Sequence, residues 1–270
     1  MQYLTHLASS IMSKAVTDEV VMKPAPTLPL TDECHHYSTV SEVPWDLQKY
    51  FQQRYSIFQY YDDGVYLTDD AWFGVTPEPV ASQVAYDMAG SKPEKKVLID
   101  IFGGAGGNTI AFALSERWDK IISIEKHGPT LACAQSNATL YEVDEHITWI
   151  NGDCFEYLDR LLNNPASLDE ALRVDPVATV VFASPPWGGP GYRDAEVFDL
   201  SHMEPYNLQQ LHEACGPMDH ALYLPRTSDL RQLAKLAPPE QQIEVVQYCM
   251  KGASKALVAF IPGNNNSVGS

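Results

Sequence analysis

The stretch VLIDIFGGAGGNTIAFA, residues 97–113, decides the fold of this 270-residue chain. Its first part is a short apolar, β-branched run that closes on Asp100, which is typical of a buried β-strand. Glycines then fill four of the five positions 103–107, and Asn108 and Thr109 can begin a helix. Such a turn lets the backbone approach a ligand and offers helix N–H groups to an anion. The stretch indicates a βα unit with a nucleotide-like ligand, although its glycines lack the GxGxxG spacing of dinucleotide-binding turns.

The same alternation of strands and helices continues towards the C-terminus. The first apolar run covers 97–102, and six more follow it: 121–125, 147–150, 179–183, 221–224, 243–250 and 256–261. Strands that alternate with helices predict a mostly parallel sheet covered on both faces. The last two runs are close enough in sequence to form an antiparallel pair at one edge. We therefore expect a doubly wound, Rossmann-like α/β domain with seven strands over residues 92–262.

A helical extension is predicted before the sheet domain, over residues 41–91. Aromatic residues with helical spacing crowd positions 45–61. A second helix is expected from Thr76, as its N-cap, to Met88, with Pro77 at the first helical position.

The two ends of the chain have a different character. Residues 1–40 combine a weak apolar pattern with prolines and predict a loosely ordered lead-in, and residues 263–270 predict a disordered tail. The start carries no signal-peptide pattern, the five cysteines form no CxxC pair, and no apolar run approaches the roughly 18 residues that span a membrane. These features favour an intracellular protein with reduced thiols and no membrane partner.

The net charge of −17 limits the kinds of partner. Three stretches, 55–91, 127–159 and 194–225, together hold 18 acidic residues and no Lys or Arg, so the rest of the chain is close to neutral. A protein that grips a long nucleic-acid backbone by charge is usually basic, and an acidic protein does not adhere to anionic membranes. Any anion site must therefore be local and lie outside these stretches.

Acidic residues follow three consecutive predicted strands. Asp100 closes the first strand, Glu125 closes the second about 20 residues after the glycines, and Asp153 follows the third. In doubly wound folds an acid at the second position accepts hydrogen bonds from ribose hydroxyls. Asp153 is suited to an adenine amino group. The three together indicate a nucleoside-binding edge more strongly than any one of them.

The stretch VVFASPPWGGPGY, residues 180–192, carries the most specific chemistry. Two prolines fix an extended turn and remove backbone donors. The Ser184 hydroxyl and the Pro185 carbonyl can then accept hydrogen bonds from an exocyclic amine, while Trp187 offers a flat face to a base. This turn after strand four resembles that of amino-group methyltransferases that use S-adenosylmethionine.

Four segments together resemble the trimethylguanosine synthases, RNA cap guanine-N2 methyltransferases, of the fungal kind. They are SPPWGGPGY (184–192), DIFGGAGGNT (100–109), KYFQQRYSIFQYYDDG (49–64) and AWFGVTPEPVA (71–81), and the resemblance covers residues 40–262. It implies a class I methyltransferase fold and two methyl transfers from S-adenosylmethionine to N2 of the 7-methylguanosine cap of small nuclear and nucleolar RNAs. S-adenosylhomocysteine would be the product. The resemblance also implies recruitment by ribonucleoprotein core proteins and a nuclear or nucleolar location, with the cytoplasm as an alternative.

The resemblance assigns roles to particular residues. Ser184, Pro185 and Trp187 are implied to be catalytic because they hold the amine and stack on the methylated guanine. Asn137 is implied to contact the cap guanosine, and Lys49 and Arg226 its phosphates. Phe58 and Thr76 are implied to close over the cofactor. With the residues named for the strand ends, the expected cofactor set is Phe58, Thr76, Asp100, Gly104, Gly106, Asn108, Glu125, Asp153 and Cys154.

Two other functions remain open on the residues alone. One is a different amino-group methyltransferase, which acts on an internal RNA guanine or on a protein glutamine. The other is a non-catalytic cap-binding module that kept the fold. A metal site is not expected, because the eight histidines form no HxxxH or Cys/His cluster, and no GxSxG elbow suggests a serine hydrolase.

The charge distribution yields a first prediction. Because only a few cations are available, the protein should bind a short capped RNA far more tightly than the same RNA without its cap, at roughly 0.15 M salt. Fluorescence anisotropy with the two labelled oligonucleotides measures the difference. Equal and strong binding of the uncapped RNA would show that the RNA body, and not the capped end, is recognised.

Overall fold

The computed structural model describes residues 21–91, 94–189 and 195–264. Within them one sheet of seven strands forms the centre of the molecule, in the order β3-β2-β1-β4-β5-β7-β6. The strands are β1 (Val97–Asp100), β2 (Lys120–Glu125), β3 (Ile147–Asn151), β4 (Thr179–Ala183), β5 (Asp219–Leu224), β6 (Glu244–Met250) and β7 (Ala253–Ile261). The first five are parallel, and β7 pairs antiparallel with both β5 and β6. The doubly wound, mostly parallel sheet and the antiparallel pair at one edge are confirmed.

Helices connect the parallel strands and cover the two faces of the sheet. In the described residues they are α1 (Gln48–Phe51), α2 (Arg54–Ile57), α3 (Ala71–Gly74), α4 (Glu78–Ser91), α5 (Gly107–Leu114), α6 (Gly128–Leu140), α7 (Cys154–Asn163), α8 (Leu208–Cys215) and α9 (Leu230–Ala234). None of the helices in these ranges combines the length and apolar character needed to cross a lipid bilayer.

Alternate side chains of each inner strand enter two separate cores. Leu98 and Phe182 pack on one face of the sheet, and Ile99 and Val181 pack on the other. A strand that is buried on both faces carries apolar side chains on both, so apolar and polar residues do not alternate along it. This explains the continuous apolar runs in the sequence. The register places Asp100 beside Phe182, so the carboxyl ends of β1 and β4 lie next to each other.

The N-terminal extension differs from its predicted form. The aromatic stretch 45–61 makes two short helices, α1 and α2, and not one continuous helix. Its apolar side chains Leu47, Phe51 and Tyr61 are buried, so packing against the domain decides the path of the backbone. The predicted second helix is α4, which begins at Glu78, one residue after Pro77, and ends at Ser91.

The lead-in is held more closely than its composition predicts. The N–H of Met22 donates to the Ser167 carbonyl at 2.9 Å, and that of Ala25 to the Trp149 carbonyl at 2.7 Å. The N–H of Leu28 donates to Gln135 Oε1 at 2.8 Å. These bonds fasten the chain after residue 20 to the sheet domain. The remainder of the lead-in, residues 1–20, and most of the predicted tail, residues 265–270, lie outside the described residues.

A buried histidine in β5 gives the fold a dependence on pH. His220 lies between the Met218 carbonyl, 2.9 Å from its Nδ1, and Nδ1 of His212, 3.1 Å from its Nε2. Burial lowers the pKa of His220 to about 4. Since the unfolded chain takes up this proton near pH 6.5, acid favours unfolding until the pH reaches about 4.

We therefore predict that the free energy of unfolding falls by about 2 kcal/mol between pH 7 and pH 5 because of His220. The variant His220→Gln should lose that part of the pH dependence, whereas His146→Gln, at an exposed histidine, should keep it. Urea unfolding of the three proteins at both pH values is the measurement. The same decline in His220→Gln as in the unchanged protein would contradict the prediction.

Candidate methyltransferase site

The glycine turn after β1 is shaped by lack of space and by backbone conformation. A Cβ on Gly103 would collide with the Ser123 hydroxyl of β2, so this position has no room for a side chain. Gly106 has a φ of 93°, which L-residues rarely adopt, and it precedes the first turn of α5. The N–H of Ile101 donates to the Phe182 carbonyl at 3.0 Å and ties the start of the turn to β4. The turn therefore lies tightly against both neighbouring strands.

Asp100 is a buried internal support of this turn. Its Oδ2 accepts a hydrogen bond of 2.6 Å from the Thr109 hydroxyl, and its Oδ1 accepts one of 3.3 Å from the N–H of Phe102. Burial raises the pKa of Asp100 to about 6, against the lowering effect of these two donors. The side chain is completely buried, so it joins β1 to α5 from inside. Its predicted contact with a cofactor would have to be indirect in this arrangement.

Asn108 and Thr76 meet across the start of α5. Asn108 Nδ2 donates to Thr76 Oγ1 at 3.0 Å, and both residues are buried. The other end of the same amide, Asn108 Oδ1, is buried and has no hydrogen-bond partner. A buried acceptor without a donor is costly, and it is suited to a donor group of a bound molecule. Thr76 thus brings the extension to the glycine turn, where its hydroxyl accepts a hydrogen bond from Asn108. That it closes over the cofactor stays a prediction.

Glu125 ends β2 beside the same turn. Its Oε2 accepts a hydrogen bond of 3.0 Å from the N–H of Gly104, and its Oε1 accepts one of 2.8 Å from the N–H of His127. These two bonds fix the carboxylate at the mouth of the turn while leaving it partly exposed. A fixed carboxylate with remaining lone pairs is suited to a pair of ribose hydroxyls.

Asp153 and Cys154 begin α7 on the other side of Glu125. Asp153 is the N-cap, since its Oδ1 accepts hydrogen bonds from the N–H groups of Phe155 and Glu156, and its Oδ2 contacts Lys126 Nζ at 3.0 Å. Burial opposes ionisation, but these donors outweigh it and lower the pKa of Asp153. Burial raises the pKa of the Cys154 thiol to about 12, so this side chain acts as an apolar wall.

Sequence reasoning did not find an aromatic cluster at this point. The ring of Tyr206 lies with its centroid 4.6 Å from that of Phe155 and 5.8 Å from that of Phe102. Burial and the nearby Asp153 carboxylate raise the pKa of Tyr206, and Lys126 opposes this effect. Tyr206 lies in the segment before α8, where the sequence has no periodic pattern from which its position could be predicted. An apolar wall thus stands beside Asp153 where the sequence offers only Cys154.

The SPPWGG turn follows β4 and lies next to the glycine turn. Ser184 is half-buried and Pro185 is buried at the end of the strand. Trp187 stacks on Tyr223 of β5, with the ring centroids 6.0 Å apart and the planes 13° from parallel. Its Nε1 donates to the Tyr223 carbonyl at 3.3 Å. Tyr223 therefore supports the indole in a fixed orientation, a contact that depends on the β4–β5 register and is invisible in the sequence.

Asn137 has a different environment from the one predicted. It is completely buried in α6, where Nδ2 donates to the carbonyls of Tyr66 and Ala105 at 2.9 and 3.0 Å. Its Oδ1 accepts from the N–H of Tyr66 at 2.9 Å. In this structure the amide holds the extension against the glycine turn and is not presented to a ligand. Phe58 is likewise buried, with its ring 6.0 Å from that of Tyr141.

The two predicted phosphate contacts lie on different elements. Lys49 is exposed on α1, and its Nζ lies 4.9 Å from the centroid of the Tyr50 ring. Arg226 is exposed just after β5, at the same end of the sheet as the SPPWGG turn. Both positions leave the charged groups accessible to an anion.

The donor set at this edge fits an adenosyl cofactor. Glu125 supplies acceptors for ribose hydroxyls, the Tyr206 cluster an apolar wall, and Asn108 Oδ1 an unsatisfied acceptor. Among the described residues, no three His, Cys, Asp or Glu side chains are grouped so as to hold a metal ion.

Comparison with known proteins finds methyltransferases. A family model described as RNA cap guanine-N2 methyltransferase matches residues 95–264. The chain is 33% identical to the trimethylguanosine synthase of Schizosaccharomyces pombe over 81% of this chain and 87% of that protein. It is 31% identical to that of Saccharomyces cerevisiae over 70% of this chain and 58% of that protein. A putative methyltransferase from Porphyromonas gingivalis W83 shares the fold, with a TM-score of 0.58 and 16% identity, over 86% of this chain and 55% of that one.

The geometry around Glu125 generates a prediction about cofactor binding. Glu125→Ala removes the ribose acceptors and the partner of the Gly104 N–H, so affinity for S-adenosylhomocysteine should fall about tenfold to a hundredfold. Glu145→Ala, at an exposed carboxylate, should leave it unchanged. Isothermal titration calorimetry gives both values. Unchanged affinity in Glu125→Ala would show that Glu125 does not contact the cofactor.

Proposed function

The chain belongs to the RNA cap guanine-N2 methyltransferase family, and from its site we propose that it methylates N2 of a 7-methylguanosine cap twice, giving 2,2,7-trimethylguanosine. One observation carries the proposal. The SPPWGG turn follows β4 and stacks Trp187 on Tyr223 of β5, and the glycine turn follows β1, the strand next to β4. A platform for a base and a site for an adenosyl group therefore share one edge of the sheet.

Stacking on Trp187 accounts for a preference for the methylated base. Methylation at N7 makes the guanine ring cationic. An indole face attracts a cationic ring by roughly 0.5–2 kcal/mol more than it attracts a neutral one. The contacts with Tyr223 hold the indole in place before the base arrives. Little ordering is then required when the base binds, which favours affinity.

Ser184 and Pro185 orient the reacting amine. In the first transfer the Ser184 hydroxyl and the Pro185 carbonyl accept its two N–H groups, and in the second the one remaining N–H donates to one of them. The nitrogen lone pair then points away from the turn and towards the glycine-rich side. S-adenosylmethionine, when bound there by Glu125, Asn108 and the Tyr206 wall, supplies a methyl group already activated by a positive sulfur. Catalysis is then mainly positioning and exclusion of water. As the amine nitrogen gains the methyl group, the bond between that methyl and sulfur would break and leave S-adenosylhomocysteine, and the nitrogen would lose one proton to water, which the cationic purine makes easier.

The substrates we propose are the capped small nuclear and nucleolar RNAs, with the nucleus or nucleolus as the place of reaction. Support comes from the family and from the relatives named trimethylguanosine synthase. Lys49 and Arg226 are accessible and lie outside the acid-only stretches, so they are suited to the cap phosphates. Recruitment by ribonucleoprotein core proteins is part of the same proposal.

A minimal substrate separates this function from the alternatives. A cap dinucleotide, 7-methylguanosine joined through a triphosphate to one nucleotide, contains only what the proposed site recognises. Methyl transfer to it, with far less to the unmethylated dinucleotide, distinguishes a cap enzyme from one that acts on internal guanine or on glutamine. Absence of transfer despite cofactor binding would favour a cap-binding module.

Trp187 gives the sharpest test of the stacking model. Trp187→Ala should lower kcat/KM for the 7-methylated dinucleotide by roughly fivefold to a hundredfold, and Trp187→Phe should lower it less. The preference for the methylated over the unmethylated dinucleotide should also shrink in Trp187→Ala, because the cation–π attraction is lost. Affinity for S-adenosylhomocysteine serves as the control and should not change.

Either of two results contradicts the model. Wild-type efficiency in Trp187→Ala would show that the indole is not the platform. A reduced rate with an unchanged preference for the methylated cap would show that discrimination at N7 arises elsewhere.

A further inference from the structure

Trp45 is the most exposed large apolar side chain in the described part of the chain. It is 86% exposed, whereas Trp72 and Trp149 are 1% and 6% exposed. Tryptophan is strongly buried on average because its ring is large and mostly apolar. An indole left almost entirely in water, in the turn just before α1, is suited to contact a ligand.

The local backbone points Trp45 outward together with a cation. Leu47 and Phe51 are buried at 1% and 3% exposure and form the inner side of the segment. Trp45, in the turn before α1, and Lys49, in α1, are four residues apart and both exposed. Lys49 Nζ is 4.9 Å from the Tyr50 ring centroid.

The exposed surface continues to α3. The Tyr50 ring makes an edge contact with Phe73, with centroids 5.4 Å apart, and Phe73 is 46% exposed. We refer to Trp45, Lys49, Tyr50 and Phe73 as the Trp45 surface. It combines aromatic faces with one accessible ammonium group.

The Trp45 surface is joined to the methyltransferase site by the chain that follows α3. Phe73 lies in α3, and the chain then runs through Val75 and Thr76. Val75 Cγ2 lies 3.1 Å from where a Cβ of Gly107 would stand, and Thr76 bonds Asn108 at 3.0 Å. Phe73 thus lies three residues before Thr76, the residue that bonds the start of α5.

We propose that the Trp45 surface binds the first nucleotides that follow the cap, with a base stacked on Trp45. This rests on the proposed function, in which the RNA that follows the bound cap extends out of the site as a single strand. Every base has a π-face, so such stacking tolerates any sequence. Four side chains are also far fewer than the 20–30 residues a side of a stable protein interface. Because Lys49 is the one cation of the surface and Asp46 is exposed beside Trp45, stacking contributes more than charge.

The experiment compares two substrates and four proteins. The substrates are the 7-methylated cap dinucleotide and a capped single-stranded RNA of ten nucleotides. The proteins are the unchanged chain, Trp45→Ala, Trp45→Phe and Tyr86→Ala, the last at an aromatic side chain on α4 that is 66% exposed and outside the surface. Dissociation constants come from fluorescence titration, and KM and kcat from methyl transfer.

The proposal expects a selective effect. The unchanged protein should bind the capped RNA at least about fivefold more tightly than the dinucleotide, and Trp45→Ala should lose this gain. Trp45→Phe should restore part of it, and Tyr86→Ala should keep all of it. The loss should appear in KM for the capped RNA, with kcat and the values for the dinucleotide unchanged.

Other outcomes overturn the proposal in different ways. If Trp45→Ala binds each substrate as tightly as the unchanged protein does, Trp45 does not contact the RNA, and a protein partner becomes the better occupant of the surface. An equal loss for both substrates would place Trp45 in the cap site or in the support of the extension. If the unchanged protein methylates neither substrate, the proposed function fails, and this result is distinct from the other two.

Discussion

The buried carboxylate of Asp100 is the contact on which the rest of the site depends. It joins the end of β1 to the Thr109 hydroxyl in α5 and to the backbone of the turn between them. Without side chains at Gly103 and Gly106, the loop can lie against β2 and α6, and Asp100 fixes it there from inside. The polar network is fully enclosed, and enclosed networks with satisfied partners favour a single arrangement. The positions of Glu125 and Asn108 follow from this turn.

A second constraint joins the extension to the sheet domain. Asn137 bonds the backbone of Tyr66 in the extension and the Ala105 carbonyl in the glycine turn. Tyr141 adds a hydrogen bond of 2.7 Å to Glu78, whose carboxylate also accepts the N–H of Gln59. The extension is thereby part of the wall of the site and not an appended segment. This arrangement gives Asn137 a positioning role in place of the direct cap contact that the family resemblance implies.

The acidic charge of the chain is compatible with an RNA substrate because of what the site needs. A stacking platform and a few cations suffice for a capped end, whereas tracking an RNA backbone requires many neutralised phosphates. Lys49 lies on α1, and Arg226 follows β5 at the carboxyl edge of the sheet. The Trp45 surface would lengthen recognition by aromatic contact, with little added dependence on salt.

The sequence by itself determined the fold class, the strand positions within a few residues, and the two turns that carry the chemistry. Apolar runs, glycines and prolines act locally, so their effect on the backbone can be inferred without a partner strand. It also indicated Glu125 and Asp153, because the carboxyl ends of parallel strands meet at one edge. Tertiary structure alone decided that Tyr223 supports Trp187, that Tyr206 lies beside Asp153, that Asn137 is buried, and that the aromatic stretch 45–61 breaks into two helices. Each of these depends on the register of neighbouring strands or on packing between distant segments, which no local pattern encodes.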